Sequence, residues 1–407
     1  MIDNSLNQYM PPCISHKDIA NTMTHIPKIE YKLDSEIDRL LALDKLYDFF
    51  IPNTTTMEVY QKIYLCIYRS LSKKDKKITI IQRNQNHKRI IQQSFNGGVI
   101  GGADSILISG SSGMGKSTSI ATAIKYATNS EIIECKDPFQ LIIPALVVQT
   151  PFDCSVKALL LQILRQVDEI LSTNYTPKTI PTTDVLIATT CQVCSNNLAC
   201  LVLDEVQNVV NHKSGNALVQ CITELINSSG ISIVMVGTNE CRQFFSSTEY
   251  LARRATEIRF NPMSYDDDFK LFCKTLWNYQ PLLNPSCISE ADYEFLYEHS
   301  AGIVANIITL IHDAQELAIL SGLETINRTI LNKVYLDRMG TLHSFINPHI
   351  SLSAPTSHIR NNKERTKQIH KLSNQTPISN CIAKAKQNNM DCISMLKNII
   401  PITEVSI

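Results

Sequence analysis

The sequence predicts an α/β fold, a parallel sheet held between helices, and three segments predict it. Each is an apolar run that ends in glycine or polar residues: Ser105-Ile-Leu-Ile-Ser-Gly110, Ala199-Cys-Leu-Val-Leu-Asp204 and Ile231-Ser-Ile-Val-Met-Val-Gly237. Apolar strands of this kind belong in a sheet buried on both faces. Helical patterns between them make the crossovers of a parallel sheet.

The first run empties into Gly110-Ser-Ser112-Gly113-Met114-Gly115-Lys116-Ser117-Thr118, a G-x-x-x-x-G-K-S phosphate-binding loop. Its three glycines let the backbone curl so that N–H groups face phosphate oxygens, and the helix that follows adds its positive N-terminus. The segment Ser119 to Ala127 reads as that helix. Lys116 is placed to reach the β- and γ-phosphates and Ser117 to ligate Mg²⁺, so ATP and Mg²⁺ are the expected ligands.

The second run ends in the adjacent carboxylates Asp204 and Glu205. Asp204 is positioned for the metal on Ser117, and Glu205 can orient the water that attacks the γ-phosphate. The third run ends in Gly237-Thr238-Asn239. There Thr238 or Asn239 resembles the sensor 1 residue that AAA+ ATPases carry after this strand. Downstream, Arg253 and Arg254 stand before the short strand ending at Phe260. Either resembles an arginine finger reaching a neighbouring subunit's nucleotide, since a guanidinium keeps its charge and matches phosphate oxygens. Arginines there also complement a helix dipole without catalytic work.

Composition sets the surroundings. The chain has 407 residues, 44% hydrophobic and 19% charged, which suffices for one large domain with appendages or two to three modules. No apolar run approaches a membrane span and the N-terminus has no signal pattern, so the expected setting is cytoplasmic, with no membrane partner. The thirteen cysteines are scattered, and Cys66, Cys200 and Cys273 sit inside apolar runs as small hydrophobes. Cys191-Gln-Val-Cys194 has no second pair at zinc spacing, so no metal is expected there.

Charge is uneven although the net is zero. Lys73, Lys74, Lys76, Lys77, Arg83, Lys88 and Arg89 face one acid, Asp75, and form a candidate DNA contact or a solvated surface. Residues 341–407 hold eight Lys/Arg against three acids.

Along the chain, residues 1 to about 28, with Pro11-Pro12, read as a flexible or docking arm. Apolar stripes predict a helix from Asp34 to the stop at Ile51-Pro52 and a second from Thr56 to Leu71, both expected on the front of the core. Between loop and carboxylates lie the apolar segment 145–149, a helix over 156–168, and a loop over 172–183 that explains the long gap. Helices are predicted over 266–279, 290–299, 304–320 and 326–338. The divisions are therefore 1–95 (arm and helices), 96–262 (P-loop core), 263–340 (helical lid) and 341–407 (basic, mobile tail).

Together these details resemble the TnsC/TniB-type AAA+ regulators encoded by transposons. The lead-in from Arg39 to Pro52, the loop Gly110-Ser-Ser-Gly-Met-Gly-Lys-Ser-Thr118, the segment Gln149-Thr-Pro-Phe-Asp-Cys-Ser155-Val-Lys157, the stretch Leu203-Asp-Glu-Val-Gln-Asn208 and Val236-Gly-Thr-Asn239 each resemble family segments, over roughly residues 30 to 320. The resemblance implies an ATPase that polymerises on double-stranded DNA as a ring or helical filament. It also implies that such an ATPase links a target-selection protein or complex to the transposase and disassembles upon hydrolysis. One departure is that Ser300-Ala-Gly302-Ile-Val-Ala-Asn306 offers no sensor 2 arginine. The alternatives are a signalling ATPase or a replication-initiator-like one, the latter expected to carry a C-terminal winged helix.

Overall fold

The computed structural model describes residues 6–29, 35–74, 104–136, 139–179, 181–209, 215–242 and 255–339, all within the unit Met1–Ile350. The expected C-terminal tail, Lys76, Lys77, Arg83, Lys88 and Arg89, and the finger candidates Arg253 and Arg254 lie outside the described residues.

Six strands form one sheet: β1 (Ser105–Gly110), β2 (Ile133–Lys136), β3 (Phe139–Gln149), β4 (Leu198–Asp204), β5 (Ser232–Gly237) and β6 (Ala255–Phe260). Their order is β2-β3-β4-β5-β1-β6, and every neighbouring pair is parallel except the β2–β3 hairpin. After β1 the chain runs to the far edge and returns strand by strand, so β5 comes to lie between β1 and β4. This reversal opens a crevice at the carboxyl ends of the strands, where open α/β sheets take their ligands.

The pleat sorts each strand into two faces. Ile106, Ile108, Val202, Val234 and Val236 pack under α1 (His16–Met23), α3 (Thr54–Lys74) and α4 (Lys116–Ala127). Leu107, Leu201, Leu203, Ile233 and Met235 pack under α5 (Val156–Leu171), α6 (Thr183–Asn197) and α7 (Gly215–Ser229). The long gap before the carboxylates is therefore filled by the β2–β3 hairpin, α5 and α6, rather than by a loop insertion alone. Residues 172–176 are themselves tied down, because Asp168 accepts hydrogen bonds from Thr173 Oγ1, Tyr175 N and Thr176 N at 2.7–2.8 Å.

The arm takes the docked alternative. Ile19 and Met23 of α1 are buried, Tyr60 Oη accepts from Ile14 N at 3.0 Å, and Tyr64 Oη donates to Pro11 O at 2.8 Å. α3 runs on to Lys74, which corrects its expected surface role. Lys74 is buried and its ammonium donates to the carbonyls of Cys194 and Ser195, at the C-terminal end of α6 where a cation is favoured. It is turned into the core; Lys73 is half-buried.

The lid is built from α8 (Asp267–Trp277), α9 (Glu290–Ser300), α10 (Val304–Leu320) and α11 (Arg328–Arg338). Side-chain caps start three of them: Asp266 accepts from Phe269 N, Ser289 forms a capping box with Asp292, and Asn327 accepts from Ile330 N. The two lead-in helices part company. α3 packs on the core as expected, but α2 (Glu36–Leu43) and the 3₁₀ turn Asp44–Asp48 join the lid, where Leu43, Leu46 and Phe49 share its apolar cluster. Arg39 meets Glu324 at 2.7 Å with both side chains buried, and Tyr279 Oη donates to Ala42 O at 2.9 Å. Among the described residues no helix is long and apolar enough to cross a membrane.

Removing one member of a buried ion pair strands the other charge, at about 3–5 kcal/mol. Glu324→Leu should therefore lower the denaturant midpoint strongly, and the double change Arg39→Met with Glu324→Leu should restore most of the loss.

Candidate functional site

β1 ends at Gly110, where β6 is so close that an added Cβ would stand 2.7 Å from both Cβ and O of Phe260. The loop then turns through Gly113 and Gly115 at φ 78° and 80°, a region open to glycine. Gly115 caps α4, and Ser119 Oγ donates to its carbonyl at 2.7 Å. The amides of the loop and of the first turn of α4 are thereby turned to one concavity.

Lys116 folds back over this loop, its ammonium donating to Gly110 O and Ser111 O at 2.8 Å each. Burial holds its pKa below the ordinary value, against the raising pull of the Glu205 and Asp204 carboxylates. A polyphosphate offers this partly desolvated cation a stronger partner than two neutral carbonyls. Ser117 Oγ donates to Asp204 Oδ2 at 3.0 Å. One hydroxyl and one carboxylate side by side are the hard oxygen donors that Mg²⁺ takes together with phosphate oxygens, so these residues fit that ion.

Glu205 follows Asp204 with φ 57°, an uncommon conformation for a residue with a side chain, and its N–H is held by Asp204 Oδ1 at 2.9 Å. At the end of β5, Thr238 lines the cleft, and its buried Oγ1 has no hydrogen-bond partner among the described residues. Asn239 is exposed and is not in the cleft wall. Of the two sensor alternatives, the geometry brings Thr238 to the phosphate loop.

The sequence-predicted residues Ser112, Gly113, Met114, Gly115, Lys116, Ser117, Thr118, Asp204, Glu205 and Thr238 all line one cleft of about 440 Å³; Gly110 is not in its wall and meets the site only through its carbonyl, which accepts from Lys116 Nζ. The lid closes its side, with Ala305 N donating to Gly113 O at 3.0 Å and Val304 and Ile308 in the wall. This wall is apolar where a sensor 2 arginine would stand. A second cavity of about 270 Å³ shares Tyr47, Met114, Gly115 and Thr118 with the first and continues between Phe50, Pro52, Met263 and Phe272. A polar, glycine-rich end and an apolar end in one groove suit a phosphate tail joined to a planar base.

Sequence reasoning passes over Tyr47 and the lid residues, which are brought to the site only by tertiary folding, and over Gln207, which follows Glu205 in the turn after β4. For Gln207 a signal exists: it sits in the segment Leu203 to Asn208, whose trailing Gln-Asn resembles the family's without revealing a role.

A phosphate loop after β1, paired carboxylates after β4, a polar residue after β5 and a helical lid define a P-loop NTPase of the AAA+ class. Residues 99–265 match the model of the TniB family, "Bacterial TniB protein", and over that stretch the chain is TniB-like. No curated protein sequence matches the chain. Similar solved structures include the Aeropyrum pernix ORC1 protein in complex with DNA (16% identity, TM-score 0.43, covering 63% of this chain and 65% of that one), so the match spans less than two thirds of that protein's length. Others are Drosophila ORC bound to DNA (12%, 0.46, 96% and 87%) and the Thermotoga maritima RuvB Holliday junction branch migration motor (15%, 0.36, 79% and 83%).

Gly302 makes the turn that delivers α10 to the phosphate loop; at φ 70°, a Cβ there would overlap Met263 O. Gly322 has a similar φ of 69° with open space around it. Gly322→Ala should cost only the left-handed penalty of about 1–2 kcal/mol. Gly302→Ala should cost more and also weaken nucleotide affinity, as melting curves and nucleotide titrations would reveal.

Proposed function

We propose that this chain is an ATP-dependent, DNA-binding regulator of DNA transposition. In this reading it assembles on double-stranded target DNA, links a target-selection protein or complex to the transposase, and disassembles when ATP is hydrolysed. The observation that carries the reading is the TniB match over residues 99–265, which encloses the whole nucleotide constellation of Lys116, Ser117, Asp204, Glu205 and Thr238.

Lys116 leaves the loop carbonyls for the β- and γ-phosphates, and the amides around Gly113 and Gly115 donate to the same oxygens. Ser117 and Asp204 would hold Mg²⁺, which supplies positive charge to the phosphates. Glu205 orients the attacking water, and the free hydroxyl of Thr238 donates to the γ-phosphate or to that water. The base occupies the apolar end of the groove beside Phe50, Met263 and Phe272, between lid and core. Arg253 or Arg254 would complete a neighbour's site, which ties hydrolysis to assembly as a ring or filament.

The test is co-sedimentation of full-length variants with duplex DNA and ATP, alongside nucleotide binding and turnover. Lys116→Ala should lose nucleotide binding and the DNA-bound assembly together. Glu205→Gln should bind ATP, turn over very slowly and retain assemblies that the wild type dissolves. Nucleotide-dependent particles whose size ignores DNA would replace this reading by that of a signalling ATPase.

A further inference from the structure

Between the hydrolytic carboxylate and the sensor loop stands one side chain with no assigned role. Gln207 Nε2 donates to Glu205 Oε2, while Gln207 Oε1 accepts from Thr238 N at 3.2 Å. Its amide thus spans two strands' ends, β4 through Glu205 and β5 through Thr238, inside the wall of the phosphate cleft.

The surroundings hold this bridge in place. Gln207 lies in the 3₁₀ turn Val206–Val209, whose Val206 is fully buried in the core. On its other side Asn208 Nδ2 donates to Thr150 O at 3.2 Å and Asn208 N to Glu205 O at 3.2 Å. Across from it, Gly237 leaves the room that the amide fills, since a Cβ there would lie 2.8 Å from Gln207 Oε1 and would also overlap Cys241 Sγ. Glu205 lines the same cleft as Lys116, so its carboxylate stands beside the phosphate loop while Gln207 grips one of its oxygens.

The chemistry suits glutamine. An amide carries a donor and an acceptor on one planar head, so it serves a carboxylate and a backbone N–H at once. A glutamate of the same shape would accept from Thr238 but repel Glu205, and an aliphatic side chain would do neither. We propose that Gln207 is a positioning residue: it fixes the Glu205 carboxylate with one oxygen free for water and ties that orientation to the sensor loop carrying Thr238. A γ-phosphate engaged by Thr238 is thereby felt at Glu205 through a single side chain. This inference rests on the reading of Glu205 as the residue that orients the attacking water.

The experiment measures ATP turnover and binding of a fluorescent ATP analogue for the full-length wild type, Gln207→Leu and the near-isosteric Gln207→Glu, each also made in a Glu205→Gln background. A positioning residue acts on the chemical step, so kcat should fall by about tenfold or more in both variants, with analogue affinity and KM within about twofold of wild type. In the Glu205→Gln background neither change should lower the residual rate further, because the group being positioned is already gone. An unchanged kcat, or the same fractional loss in both backgrounds, overturns the inference, as does lost affinity with melting temperature preserved. If Gln207→Leu fails to fold, Gln207→Glu decides by the same readings. A wild type that binds no ATP instead removes the ATPase reading itself, which is a separate and recognisable result.

Discussion

The parallel register of β1, β5 and β4 is the constraint on which the rest of this molecule depends. Ser109 stands opposite Gly237 and Leu203 opposite Met235, so the phosphate loop, the sensor turn and the paired carboxylates leave the sheet at one edge. Burial on both faces enforces that register, because a slip of one residue would carry each strand's side chains to the opposite face. The 3.0 Å contact between Ser117 and Asp204 is a consequence, bridging strands that are not themselves neighbours. The hydrogen bonds that link Glu205, Gln207 and Thr238 follow from the same alignment.

The candidate nucleotide groove lies where two packed bodies meet. One is the sheet with α1 and α3; the other is the lid with α2, joined by the Arg39–Glu324 pair and the apolar cluster around Leu43, Leu46 and Phe49. The chain passes between them through residues 50–53 and again through 261–266, and Phe50, Pro52 and Met263 from these passages line the groove. Phe50 is also bonded to His25 through both backbone groups, at 2.8 and 2.9 Å, which anchors this crossing to the N-terminal arm. A ligand that touches both bodies stabilises their mutual arrangement by mass action. The fold thus offers a direct physical route from bound nucleotide to lid position.

What was legible in the sequence was whatever is local. The three buried strands were readable because each is a continuous apolar run closed by residues with a task. The lid helices were readable because period and caps agree at Asp266, Ser289 and Asn327. Cys66, Cys200 and Cys273 are buried free thiols that burial pushes up in pKa, to about 12 for Cys66, as suits small hydrophobes. Less local features leave little trace in the sequence. α1 is eight residues with two buried side chains, and α6 is rich in Thr and Cys with little contrast between its faces. Lys74 reads as one more lysine in a basic run until α6 brings its last carbonyls to it. Likewise nothing in the spacing shows α2 leaving α3 for the lid, since each carries an apolar stripe and neither stripe names its partner.

In the proposed function, nucleotide held in this groove governs assembly on DNA. The most direct measurement is sedimentation velocity with negative-stain imaging of the wild-type protein and duplex DNA, comparing a non-hydrolysable ATP analogue with ADP. Long regular assemblies that need both DNA and the analogue, and are lost in ADP, are the predicted result. Discrete particles of the same size with or without DNA, in either nucleotide, would contradict it.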